Sequence, residues 1–379
     1  MRFRVERDVL AEAVAWAARS LPARPPVPVL AGLMLSADTD AAGRLVLSSF
    51  DYEVSARVEI TADVTEPGVV LVSGRLLADI TRSLPARPVE VATDGAKVVV
   101  TCGSSRFTLL TLPVEDYPTL PEMPGASGSL RGDLFAAAVG QVSIAAGRDD
   151  TLPVLTGVRL EIEAEKITMA ATDRYRLAVR DLAWTPEQAG LSAIALVPAR
   201  TLADTAKSLA SADKVTVALA SGGTGEGLVG FEGSGRRTTS RLLDGEFPKY
   251  KSLLPAESAS VATVETAGLV ESVRRVALVA ERNTPIRLSF SGGEVTLEAG
   301  SGDEAQASES LDAGLTGDDI SIAFNPAYLL DGLGALEGSH AQLSFTAPTR
   351  PAVLAAKDSM DATAGDDYRY LLMPVRLSG

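Results

Sequence analysis

Two segments of this chain return almost unchanged 125 residues later, so the fold taken by the first must be open to the second. Pro28-Val29-Leu30-Ala31-Gly32 comes back as Pro153-Val154-Leu155-Thr156-Gly157, and Arg75-Leu76-Leu77-Ala78-Asp79 as Arg200-Thr201-Leu202-Ala203-Asp204. Arg106 stands twelve residues before Pro118, and Arg236 twelve before Pro248. Asn325-Pro326-Ala327-Tyr328-Leu329-Leu330-Asp331 gives a fainter third copy at the expected distance. A period this long marks repeated whole domains, because solenoid units run only about 20 to 50 residues. Linker-like runs at 121–129 and 255–260, rich in Pro, Gly, Ser and Ala, place the boundaries, giving domains over 1–123, 124–257 and 258–379.

Within each third the hydrophobic period alternates between helix and strand. Val9, Leu10, Ala13, Val14, Trp16 and Ala17 recur at helical spacing over 7–19, and Pro22 ends that run. Further helices are expected over 73–84, stopped by Pro85, and over 131–148, 198–210, 267–282 and 325–337. Strands are expected at 32–37, 44–49 and 52–60, the last alternating Val54, Ala56, Val58 and Ile60 against Ser55, Arg57 and Glu59. Strands 89–92 and 97–102 flank the turn sequence Thr93-Asp94-Gly95-Ala96 and read as a hairpin. The second third repeats the order, with strands at 158–162, 167–171 and 176–181, so the class is α+β, two helices packed on antiparallel sheets per repeat.

With 46% hydrophobic residues the chain can bury the cores that two or three domains need. Its single cysteine, Cys102, excludes an internal disulfide, and the opening Met-Arg-Phe-Arg-Val-Glu-Arg has no apolar leader pattern, so a cytoplasmic protein is expected. No apolar run reaches the length of a membrane span, so no membrane partner is expected. A net charge of −14 would repel nucleic acid if it were spread evenly. It is not: the six expected helices carry eleven Lys or Arg against nine Asp or Glu, leaving −16 on the rest of the chain. Arg75 and Arg82, like Arg200 and Lys207, lie seven apart on one helical face.

Catalytic chemistry is sparse. His340 is the only histidine, expected in a loop, which argues against a histidine-based triad or a multi-histidine metal site. Gly225-Glu226-Gly227-Leu228-Val229-Gly230 matches a dinucleotide fingerprint in letters, but it leads into a strand and reads as a hairpin tip. Asp38-Thr39-Asp40-Ala41-Ala42-Gly43 lacks the later ligands of a calcium loop and reads as a turn. No cofactor and no metal is expected.

Four stretches point to a family. Arg24-Pro25-Pro26-Val27-Pro28-Val29-Leu30, Ala171-Thr172-Asp173-Arg174-Tyr175-Arg176-Leu177-Ala178, Phe247-Pro248-Lys249-Tyr250-Lys251-Ser252-Leu253-Leu254-Pro255 and Tyr370-Leu371-Leu372-Met373-Pro374-Val375-Arg376-Leu377 resemble the bacterial sliding clamp, the beta subunit of DNA polymerase III. The resemblance covers the whole chain. It implies three tandem clamp-type domains and a head-to-tail homodimer closed into a ring around double-stranded DNA, without sequence preference. It also implies a non-enzymatic tether for replicative and repair polymerases and for the clamp loader. Such a ring meets DNA with a less acidic lining, which removes the objection raised by the net charge.

By position, the resemblance implies DNA-facing roles for Arg24, Arg148 and Asp149. Arg75, Arg82, Arg200, Lys207, Arg274, Arg275 and Arg282 join them as lining candidates on helix position alone. It further implies a partner-peptide groove of Leu155, Thr172, Arg174, Tyr175, Arg176, Leu177, Pro248, Ser252, Leu253, Leu371, Met373, Pro374, Val375 and Arg376. Aliphatic walls with an arginine rim suit short peptides anchored by leucine or phenylalanine, and Met373 offers an adaptable wall. Phe107 and Leu109 against Ala277 and Leu278 are the implied dimer contacts. A competing reading, a carboxylate-dependent hydrolase or carbohydrate-binding protein, needs paired acids or exposed aromatic platforms. The only tryptophans, Trp16 and Trp184, make a poor platform.

Overall fold

Helices form where the 3.6-residue period places them. The computed structural model describes residues 1–39, 43–219, 227–280, 284–300 and 305–376. Among these, the α-helices are α1 (Arg7–Ala17), α2 (Gly74–Ser83), α3 (Gly132–Ser143), α4 (Ala199–Ser208), α5 (Thr266–Val276) and α6 (Pro326–Gly334). Pro85 forces Leu84 into extended backbone and so ends α2. Asn325 caps α6, its side chain accepting the amides of Ala327 at 2.9 Å and Tyr328 at 3.3 Å, with Pro326 at the first helical position. The expected ends at 19, 148 and 282 run past the α-helical turns: α1 and α5 tighten into 3-10 turns at Ala18–Ser20 and Ala277–Val279, and α3 stops at Ser143. None of the helices is long and apolar enough to cross a membrane.

The chain divides into two compact units. The first comprises Met1–Ala136, Thr185–Ala189 and Asp204–Leu242. Its fourteen strands form one antiparallel sheet, in which the strand Arg236–Arg241 pairs with Val54–Thr61. α1 and α2 cover part of that sheet. Leu10, Val14 and Ala17 meet Leu33, Leu35, Leu45, Leu47 and Val72 in a continuous core. Burying aliphatic side chains stabilises by about 1.5–3 kcal/mol each, which makes such cores the main favourable term. Gly132 cannot carry a side chain, since a Cβ there would collide with the carbonyl oxygen of Leu209. Trp16 is buried.

A second cluster in this unit holds Tyr117, the residue before repeat-marker Pro118, against Val29, Leu30, Phe50 and Leu71. Its hydroxyl accepts the Phe50 amide at 2.7 Å. Burial, aided by nearby Asp51 and only partly opposed by that amide, pushes the phenol up to about 12. Because the folded value lies above the unfolded value of about 10, its stabilising contribution is complete below pH ~10 and disappears as pH rises toward 12. The difference in 295 nm absorbance between wild type and Tyr117→Phe is expected to titrate near pH 12. A difference titrating near pH ~10 would contradict the buried hydroxyl.

The second unit comprises Ala137–Trp184, Gly190–Ala203 and Leu243–Gly379. It contains a nine-stranded antiparallel sheet, whose middle is the pair Arg176–Ala183 and Tyr368–Leu372, and a four-stranded sheet edged by Ala307–Asp312. α5 and α6 pack together, and Leu269 and Val273 on the first and Leu329 and Leu333 on the second are buried. Trp184 is also buried, its indole N–H donating to the Ala164 carbonyl at 2.8 Å. Neither tryptophan is therefore a sugar platform.

Two expectations need correcting, and two motifs lie partly outside the described residues. His340 opens the strand His340–Phe345, because alternating apolar Ala341, Leu343 and Phe345 recruit it into the ladder. The strand expected from residue 52 begins at Val54, since Asp51 accepts the amides of Glu53 and Val54 in a tight turn with Tyr52 left-handed (φ 77°). Gly225 and Glu226 lie outside the described residues, while Leu228–Gly233 is a strand as expected. Asp40 to Ala42 also lie outside them.

Candidate functional site

The second unit carries an open pocket of about 650 Å³ whose lining includes Leu152, Leu155, Arg174, Tyr175, Tyr328 and Asp331. Its rim is set by a turn that the sequence encodes locally. Asp173 accepts the amides of Tyr175 at 3.0 Å and Arg176 at 3.1 Å, and Thr172 accepts the Arg174 amide at 3.2 Å. Arg174 then takes a left-handed conformation (φ 79°), which turns Tyr175 outward. Tyr175 is exposed and stacks on Tyr328 of α6 with ring centroids 6.3 Å apart.

Beneath that stack lies Arg176, only 5% exposed. Its guanidinium donates to Asp173 at 2.9 Å and Asp331 at 2.5 Å, approaches the Tyr370 hydroxyl at 3.5 Å, and lies 4.3 Å from the Tyr328 ring centre. Burial opposes its charge, but Tyr370, Asp331 and Asp173 more than offset this and raise its pKa. Arginine's planar fork is suited to such a node. Arg176 is therefore a buried strut under the rim, where an exposed rim charge was expected.

The other half of the predicted set surrounds an apolar floor. Leu177 and Leu371 face each other across the strand pair and are buried with Ala170, Val179, Leu196, Phe247 and Tyr250. Met373 leaves the sheet with its amide donating to the Tyr175 carbonyl at 2.9 Å, and the Val375 amide reaches Ala323 at 2.8 Å. Met373, Val375, Arg376 and Leu253 are exposed, Leu155, Pro248 and Pro374 half-buried, and Thr172 buried. Ser252 and Leu253 sit on the 3-10 turn Tyr250–Leu253, which is fastened by Lys251 to Glu161 at 2.7 Å. Glu161 is buried and also receives Arg159 at 2.7 Å. Burial penalises its charge, but the bonds from Lys251 and Arg159 outweigh this and hold it below the usual carboxylate range.

The region thus combines buried leucines, exposed aliphatic side chains and a stacked tyrosine pair. Tyr328 and Asp331 were not among the sequence candidates for this site. A signal existed: Asp331 is the third copy of the motif ending in Asp79 and Asp204. Its partner in space, Arg176, is 155 residues away, beyond any local pattern.

The cationic candidates separate by partnering. Arg82 pairs with Asp79 at 3.8 Å, Arg274 with Glu271 at 2.8 Å and Arg275 with Glu309 at 2.5 Å. Arg75 donates to the Pro22 carbonyl at 2.9 Å, near exposed Arg24. Arg148, Arg200 and Lys207 are exposed and form no ion pair among the described residues. Asp149 is turned inward on its own loop, accepting the Thr151 amide at 3.0 Å and hydroxyl at 2.6 Å. The Thr151 bonds, with Arg174 nearby, lower its pKa. Arg282 lies outside the described residues.

The four dimer candidates differ in exposure. Leu278 is 83% exposed and Phe107 37%, Ala277 is half-buried, and Leu109 is only 3% exposed because the pleat turns it into the core of the first unit. Leu110, on the alternate face, is exposed instead.

Successive segments of the chain match the DNA polymerase III beta subunit: its N-terminal domain at residues 1–121, its central domain at 129–249 and its C-terminal domain at 251–376. The beta sliding clamp of Streptomyces coelicolor is 66% identical over 379 residues, spanning 100% of both chains. The beta sliding clamp homolog GriR of Streptomyces muensis is 50% identical over 376 residues, 99% of each chain. The crystal structure of a DnaN sliding clamp from Pseudomonas aeruginosa bound to griselimycin aligns with a TM-score of 0.90 at 28% identity over 100% of both chains. That of the DNA polymerase sliding clamp from Bacillus subtilis aligns with a TM-score of 0.90 at 26% identity, over 100% of this chain and 99% of the other.

Proposed function

This chain belongs to the DNA polymerase III beta-subunit family, and from that premise we propose how its residues serve a DNA sliding clamp. The observation that carries the function is the succession of N-terminal, central and C-terminal family domains at residues 1–121, 129–249 and 251–376. Two copies close head to tail around double-stranded DNA and slide on it without reading sequence, tethering polymerases and meeting the clamp loader. Enclosure, in place of tight contact, keeps such a protein on DNA, so a chain of net charge −14 needs only a few lining cations. The protein works without enzymatic chemistry of its own, in the cytoplasm where bacterial DNA lies. Three clamp domains over 1–123, 124–257 and 258–379 are the division proposed for this chain, and the order of the three family segments supports a threefold organisation.

In this reading Arg24, Arg148, Arg200 and Lys207, which form no ion pair among the described residues, contribute most to DNA contact together with Arg75, and the ion-paired Arg82, Arg274 and Arg275 less. The pocket beside Tyr175 and the floor around Leu177 and Leu371 form one peptide groove, with Met373 between them as its adjustable wall. Protein placed by its loader on a nicked circular duplex is expected to stay there through gel filtration at moderate salt, and to be lost when the circle is cut open. Equal retention on circle and line would rule out enclosure.

A further inference from the structure

The face of the first unit's sheet turned away from α1 carries a small pocket that none of the roles above uses. Along the strands Gly32–Asp38, Arg44–Phe50 and Val54–Thr61, the side chains of Leu35, Leu45, Leu47 and Val58 enter the core with those of α1. The two-residue period of a strand therefore turns Ser36, Asp38, Arg44, Val46, Ser48 and Arg57 to the other side. There, with Leu120, they line a cavity of about 270 Å³. Ser36 lies opposite Val46, Asp38 opposite Arg44, and Ser48 opposite Arg57, so the lining is assembled by the ladder itself. It shares no residue with the peptide groove or with the lining cations.

Three arginines meet on this face, and carboxylates account for two of them. Arg44 is held by Asp38 at 3.6 Å and by Glu59 at 3.8 Å. Arg237, on the neighbouring strand Arg236–Arg241, donates to both oxygens of Glu232 at 3.1 Å. Arg57 lies directly opposite Arg237, where like charges repel. It is half-buried and makes no ion pair or side-chain hydrogen bond among the described residues. Ser48 beside it is only 7% exposed, and its hydroxyl likewise has no partner among the described residues. Buried polar groups are nearly always hydrogen-bonded, so a guanidinium and a hydroxyl left over on one pocket wall point to an acceptor supplied from outside the chain.

We propose that this pocket binds an oxyanion of the phosphate class, either the inorganic ion or a monoester whose organic group lies against Val46 and Leu120. The planar fork of Arg57 is suited to two parallel bonds to such an anion, and the hydroxyls of Ser36 and Ser48 add donors beside it. These donors arise from three neighbouring strands about 4.8 Å apart, so they approach from more than one plane. A tetrahedral anion has an oxygen for each direction, which a planar carboxylate lacks. Two arginines against one aspartate leave the lining with a net charge of +1, and in a chain of −14 that local excess selects an anion. Bound negative charge also offsets the repulsion between Arg57 and Arg237.

Calorimetric titration of the full chain with inorganic phosphate and with phenyl phosphate, at neutral pH and an ionic strength held constant with sodium chloride, tests the site. Saturable binding of one anion per chain is expected at millimolar concentration. Tighter binding of phenyl phosphate assigns the pocket to a monoester, and equal or tighter binding of inorganic phosphate assigns it to the free ion. Arg57→Ala and Ser48→Ala are each expected to weaken the preferred probe about tenfold, the loss that follows from removing a charge-assisted hydrogen bond. Arg57→Lys keeps the charge without the fork and is expected to lose less. Thermal unfolding in phosphate-free buffer checks the fold of each variant, and Ser48→Ala, which removes one oxygen, carries the test should Arg57→Ala not fold. No saturable binding of either probe to wild type, or affinity within twofold of wild type in a folded alanine variant, would overturn the site.

Discussion

Arg176→Ala is expected to destabilise the second unit by about 3 kcal/mol, the low end of the range for removing one partner of a buried ion pair. The low end applies because the side chain of Asp331 is 46% exposed and can return to water, whereas Asp173, 13% exposed, is left with an uncompensated charge. The stacking of the guanidinium on Tyr328, worth about 0.5–1 kcal/mol in comparable settings, disappears as well. Arg176→Lys keeps the charge but cannot bridge both carboxylates, so it should recover only part of the loss. Denaturant unfolding followed by fluorescence reports this, since Trp184 lies within the same unit. A midpoint unchanged in Arg176→Ala would mean that the guanidinium is not the strut its contacts indicate.

The second large effect concerns partner binding. Met373→Ala, and separately deletion of Val375 to Gly379, are each expected to abolish polymerase-peptide binding while leaving the dimer intact. Met373 is exposed and tied through its amide to the Tyr175 carbonyl, and if it anchors peptide as proposed, its truncation is expected to cost about 2 kcal/mol or more. The deletion removes Val375 and Arg376 together with the amide that fastens the tail to Ala323. A fluorescent peptide carrying a leucine or phenylalanine anchor measures the loss, and sedimentation measures the assembly. Loss of dimer in either variant, or peptide affinity within twofold of wild type, would reject the groove.

Some of the groove was legible along the chain because its parts are local. The turn at Asp173 is written in side chains that bond amides two or three residues away, and the floor strands show their apolar runs directly. The partnership of Arg176 with Asp331 and Tyr328 was not legible, because it depends on which strand face meets which helix. The same difficulty applied to Leu109. Its type suggested an interface, but the two-residue period of a strand decides inside from outside, and a shift of one position exchanges the two.

By itself the sequence determined the number of repeats, the six helices with two of their stops at proline, and the strand-rich character of each third, since all of these depend on interactions a few residues apart. It also fixed how little catalytic chemistry the chain carries. Only the tertiary structure decided which cations are tied to carboxylates, that Arg176 supports the rim from below, and that Leu109 turns into the core. Those facts depend on pairings between residues far apart in the chain, where geometry outweighs residue type.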